Sequence, residues 1–129
     1  DFDIDLKEVK MASSFTLADN IINTKIKATT TTIGLFKSDP GRDDTGIEVD
    51  APSYTRMPIT FDDVNNGTVR NDTDITFPQA TESWGIITHY AIYDIDNNLL
   101  YADKLLYNDE IVAGRIITIP SQQLQLQVI

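Results

Sequence analysis

The stretch Gly85-Ile86-Ile87-Thr88-His89-Tyr90-Ala91-Ile92-Tyr93 decides the fold class. Ile87, His89, Ala91 and Tyr93 fall on one face of an extended chain; Ile86, Thr88, Tyr90 and Ile92 fall on the other. Both faces are largely apolar and rich in β-branched and aromatic residues, so the segment predicts a central strand. Asp96-Asn97-Asn98 is a turn signal that leads into Leu99-Leu100-Tyr101-Ala102, with Leu105 and Leu106 extending that strand and Asn108-Asp109-Glu110 and Gly114 interrupting it. Further on, Ile117 and Ile119 alternate with Ile116, Thr118 and Pro120. Leu124, Leu126 and Val128 alternate with Gln123, Gln125 and Gln127.

Towards the N-terminus, Ile33-Gly34-Leu35-Phe36 predicts another strand. The polar stretch Ser38–Ser53 follows, with turns at Asp39-Pro40-Gly41 and Asp43-Asp44-Thr45-Gly46. Tyr54–Phe61 predicts a strand carrying Pro58, which places it at an edge or a bulge. Asn65-Asn66-Gly67 is a hairpin signal, Thr68-Val69-Arg70 follows it, and Ile75-Thr76-Phe77 is a short strand ended by Pro78. Ser14–Ile26 is the one helical candidate, with Leu17, Ile21 and Ile22 on one side. About eight short strands separated by frequent turns predict an all-β antiparallel sandwich or barrel-like fold with at most one short helix.

The chain has 129 residues, which is one domain's worth. Lys plus Arg is 10 and Asp plus Glu is 20, giving a formal charge of −10. Those basic residues are scattered, which argues against a nucleic-acid partner. No apolar run approaches a membrane span of ~20 residues. The absence of Cys excludes disulfides, thiol nucleophiles and Cys-based metal sites. The start, Asp1-Phe2-Asp3-Ile4-Asp5-Leu6, lacks the basic and apolar regions of a signal peptide, and without Met it is either processed or part of a longer chain.

No catalytic constellation emerges, and no cofactor is expected. The single histidine, His89, sits within the best strand, where a structural hydrogen bond is its expected role. Neither a Gly-x-Ser-x-Gly elbow nor a phosphate-binding loop is present. Asp94, Asp96 and Asn98 have the opening spacing of a calcium loop, but Leu99 stands where its Gly belongs and Leu105 where its closing acid belongs, so a hairpin turn is expected. Asn66-Gly67-Thr68 and Asn71-Asp72-Thr73 match the glycosylation acceptor pattern, to which the missing signal peptide lends no support. Trp84, the only tryptophan, is read as a core or rim anchor, or as a ring that stacks on a sugar or a partner. Phe2, Ile4 and Leu6 alternate with three aspartates. That pattern suits a strand within its own sheet or one added to a neighbouring subunit.

Three ordered stretches resemble a family of small bacteriophage virion structural proteins. The first is Ile33–Gly41, an "ALF"-type strand with its Ser-Asp-Pro loop, followed by Thr45–Val49. The second is Tyr54-Thr55-Arg56-Met57-Pro58-Ile59-Thr60-Phe61. The third is Asp74–His89, with Phe77-Pro78, Ala80-Thr81 and Trp84-Gly85 in place, followed by Ala91–Leu100. The likeness covers Met11–Ile129 and leaves residues 1–10 as an added arm or linker before one domain at 11–129.

The resemblance implies a non-enzymatic virion component, either a capsid decoration protein or a tail-fibre protein, made in the bacterial cytoplasm. The implied partners are other virion proteins and further copies of itself. Phe2, Ile4, Leu6, Tyr54, Arg56 and Trp84 are the candidate interaction residues. Arg56 is expected to pair with a loop acid such as Asp39 or Glu48. The Phe77-Pro78 and Trp84-Gly85 aromatics are expected to plug one end of the sandwich. The alternative function is a carbohydrate-binding β-domain that uses Trp84, tyrosines and loop acids.

Overall fold

The computed structural model describes residue 23 and residues 30–64 and 67–127. The acidic arm and the expected helix at Ser14–Ile26 lie outside them, apart from Asn23. The strands in chain order are β1 (Thr31–Phe36), β2 (Met57–Ile59), β3 (Thr68–Arg70), β4 (Ile75–Thr76), β5 (Gly85–Tyr93), β6 (Leu99–Ile111), β7 (Thr118–Ile119) and β8 (Gln125–Gln127). All pairings between them are antiparallel.

One four-stranded sheet runs in the order β2-β1-β5-β6, and two short ribbons, β3-β8 and β4-β7, accompany it. β5 is central, as its two apolar faces require. β2 is an edge strand, the position where Pro58 costs no ladder hydrogen bond. The remaining edge of β1 is used by the polar loop: Lys37 N–H donates to Ile47 O at 2.7 Å and Val49 N–H to Leu35 O at 3.0 Å. The fold is all-β and sandwich-like; the described strands form no closed barrel.

The main core lies between the sheet and the ribbons. Ile33, Leu35, Ile59, Ile87, Tyr90, Ile92 and Ile111 of the sheet pack with Val69, Ile75, Phe77, Leu124 and Leu126. On the other side of the sheet a smaller cluster joins Phe36, Ala91 and Tyr93.

Two expectations are corrected here. Strict alternation puts Ile87 on the face of Ala91 and Tyr93, but Ile87 packs in the main core with Tyr90 and Ile92. The reason is a bulge. Ile87 pairs with Asp109 and His89 with Lys104, so Thr88 alone faces four residues of β6 and the alternation changes phase there. The second concerns Asn108-Asp109-Glu110, read as an interruption. β6 runs through it to Ile111, because the chain regains register with Gly85, Ile86 and Ile87 after the bulge.

A buried amide joins the ribbons. Asn71 is fully buried; its Nδ2 donates to Thr73 O and Pro120 O, both at 2.9 Å, and its Oδ1 accepts from Leu124 N–H at 2.9 Å. The sequence marks Asn71 only through the Asn71-Asp72-Thr73 acceptor pattern. Its bridging role depends on segments about fifty residues away.

Candidate functional site

The sequence-marked residues Tyr54, Arg56 and Trp84 converge beside β1 and β5. Tyr54 stacks on Phe77 with ring centroids 6.3 Å apart and meets Trp84 edge-on at 5.4 Å. Its hydroxyl accepts from Leu35 N–H at 2.9 Å and donates to Glu48 Oε2 at 2.6 Å. Burial, reinforced by that bond to Glu48, pushes the Tyr54 phenol well above its ordinary pKa.

Arg56 closes the other side of Glu48. Its Nε and Nη2 donate to Glu48 Oε2 and Oε1, both at 2.9 Å, a bidentate pair with each side chain about one quarter exposed. Of the two acids marked for Arg56, Glu48 is the one used. The guanidinium also lies 3.6 Å over the Tyr93 ring and donates to Asn97 Oδ1 in the β5–β6 turn. Tyr93 donates its hydroxyl to Asp44 at 2.5 Å. Burial, together with this carboxylate, raises the Tyr93 phenol's pKa.

Gly34 makes the approach possible: a Cβ there would sit 2.7 Å from Glu48 Oε2 and 3.1 Å from the Tyr54 hydroxyl. The cluster therefore ties the 38–53 loop, the approach to β2 and the β5–β6 turn to the sheet.

Trp84 is only 2% exposed. Its Nε1 donates to Ser53 Oγ at 2.9 Å and Glu82 Oε2 at 3.2 Å. The Glu82 carboxyl is held below its usual range, chiefly by its bond from Ser53. Gly85 carries the chain into β5 with a φ of +85°, a conformation that glycine adopts without strain. The indole is thus a core anchor. It offers no open face to a sugar, and the Phe77 and Trp84 rings close one part of the core.

The other sequence-marked groups are engaged locally. His89 Nδ1 lies 2.7 Å from Thr88 Oγ1. Asp94 accepts from the backbone N–H of Asn98 at 2.8 Å and of Asp96 at 2.9 Å, and from Asn98 Nδ2 at 3.0 Å. The bonds from Asn98 lead in holding its carboxyl below the ordinary range. The calcium-like spacing therefore builds a hairpin turn, with Asn97 at a φ of +67°. Among the described residues, no three His, Cys, Asp or Glu side chains gather as a metal-binding group.

Two concavities stand out among the described residues. A mainly apolar cleft of about 520 Å³ lies between β5–β6 and the chain from Ile117 to Gln125, with Ile87, Tyr90, Leu105 and Leu124 in its lining. A smaller groove of about 390 Å³ runs between Leu99–Ala102 and the loop at Asp39, Gly41 and Arg42. Neither is legible from local patterns, since each combines segments far apart in the chain.

A protein-family profile described as podophage GP4 fiber I protein gp80 matches residues 13–127. The chain belongs to this family. Its members are phage fibre proteins by description, so the protein is a bacteriophage structural component of the virion. No curated protein matches the chain. The cluster around Arg56 and Trp84 agrees with a structural role, because its polar atoms are spent on pinning loops to the sheet.

Proposed function

We propose that this protein is a component of the phage tail fibre, acts by binding other virion proteins rather than by catalysis, and assembles through edge strands and the arm at residues 1–10. The observation that carries the fibre placement is the family match over residues 13–127, whose description names a fibre protein. The fold supports it. Loops are clamped by Arg56 and Glu48, and the core is sealed by Trp84. The excess of acidic residues suits a particle surface, where like charge opposes nonspecific association.

Electron microscopy of purified phage particles labelled with a gold-conjugated antibody to this chain tests the placement. Label confined to the tail or its appendages is the expected result. Label spread over the head would make the protein a capsid decoration instead. Unlabelled particles in a preparation where the antibody detects the denatured chain would remove the virion reading.

A further inference from the structure

The segment Ser38–Glu48 is a strap anchored at both ends, because Phe36 before it and Val49 after it are buried. The main-chain bond from Lys37 N–H to Ile47 O, at 2.7 Å, closes its base. Thr45 N–H donates to Pro40 O at 2.9 Å, and a Cβ on Gly46 would sit 2.7 Å from Pro40 Cα, so the strap is closely packed on itself. Its middle is fastened to the sheet through side chains. Asp44 Oδ1 accepts from the Tyr93 hydroxyl at 2.5 Å. Glu48 accepts the two Arg56 bonds at 2.9 Å and the Tyr54 hydroxyl at 2.6 Å.

The β5–β6 turn is held by the same guanidinium. Arg56 Nη1 donates to Asn97 Oδ1, and the group lies 3.6 Å over the Tyr93 ring. Contacts therefore run without a break from Asp44 and Glu48 through Tyr93 and Arg56 to Asn97. Both ends of this chain sit in the left-handed backbone region, Asp44 at a φ of +55° and Asn97 at +67°. That conformation is disfavoured for residues with a Cβ and persists where surrounding contacts hold it. Here each of the two side chains is bonded to a member of the Arg56–Tyr93 stack.

We infer that the strap and the turn Asp94–Asn98 form one latch, with the Arg56–Tyr93 stack as its bolt. When the stack parts, strap and turn open together while the sheet stays folded, and the buried Tyr93 ring is laid bare. The strap is the part free to lift, since side chains fasten its middle whereas β1 and β5 are paired over five residues. The coupling passes through Arg56 because it bonds Glu48 on one side and Asn97 on the other.

Hydrogen exchange of single amides by NMR tests this on the 129-residue chain, with Glu48→Gln and Asn97→Gly as variants. Glycine at 97 keeps the turn's positive φ and removes only the acceptor for Arg56. In the parent, the N–H groups of Lys37, Thr45 and Asp94 are expected to exchange at least about a hundredfold faster than those of Tyr90–Ile92 in β5. Glu48→Gln, a change on the strap, should speed exchange at Asp94 by about tenfold, as at Lys37 and Thr45. Asn97→Gly, a change on the turn, should speed Lys37 and Thr45 by at least about threefold. The β5 amides should keep their parent rates in both variants.

An Asp94 rate untouched by Glu48→Gln, or Lys37 and Thr45 rates untouched by Asn97→Gly, would mean that strap and turn open independently and would overturn the inference. Strap amides that exchange no faster than β5 in the parent would remove the separate opening. Equal acceleration of all amides, β5 included, would reduce the cluster to a contributor to global stability and overturn it as well.

Discussion

Arg56 serves three neighbours with one planar group. It forks onto Glu48, covers the Tyr93 ring and reaches Asn97. Lysine cannot reproduce this, since a single ammonium gives neither the fork nor the flat stack. Removing the guanidinium would also leave the Glu48 carboxylate partly buried and short of a countercharge. Arg56→Ala is therefore expected to cost about 1–3 kcal/mol, and Arg56→Lys to recover less than half of that loss. Each kcal/mol should lower Tm by roughly 3–5 °C in a chain of this size. Urea unfolding of the three proteins measures the difference directly, and a lysine variant as stable as the parent would show that the fork contributes nothing.

At the scale of the element, β5 shows how a bulge reassigns a face. Ile86 and Ile87 are adjacent and chemically identical, yet Ile86 is 53% exposed and Ile87 only 1%. The phase change at Thr88 lets Ile87 share the core with Tyr90 and Ile92. Truncating Ile87 leaves a cavity among packed neighbours, whereas truncating Ile86 removes methyl groups that mostly face water. Ile87→Ala should cost about 2–4 kcal/mol and Ile86→Ala less than about 0.5 kcal/mol. Chemical denaturation of the pair checks it, and equal losses would contradict the bulged register.

Across the whole molecule, Tyr54, Tyr90 and Tyr93 are all held neutral, chiefly by burial, with phenol pKa values raised above their ordinary value. The sign of the pH dependence follows. Below about pH 10 these phenols are protonated in both states and contribute no slope. Above it the unfolded chain loses the protons while the folded chain keeps them, so the unfolded state binds fewer and stability falls as pH rises. Each such tyrosine can contribute up to about 1.4 kcal/mol per pH unit until its folded pKa is reached. Urea midpoints measured between pH 9 and pH 11 are expected to drop progressively from about pH 10, with phenolate absorbance appearing together with unfolding. Phenolate absorbance from all tyrosines at their ordinary pKa in a still-folded chain would refute the burial of these hydroxyls.

The sequence by itself determined the class of fold, the centrality of β5, the edge position of the Pro58 strand and the turn at Asp94–Asn98. These are properties of local patterns: alternation, proline's missing donor, and the short side chains that bond their own backbone. It also carried the family resemblance, because ordered motifs survive in the one-dimensional chain. Only the tertiary structure decided which acid Arg56 takes, since it is the bridge between Phe36 and Glu48 that brings Glu48 beside the guanidinium. Only it made Asn71 a buried bridge and Trp84 a sealed core ring, because burial belongs to the partners and not to the residue type. The phase of Ile87 was likewise settled by β6, whose extra residues opposite Thr88 leave no mark on the sequence of β5.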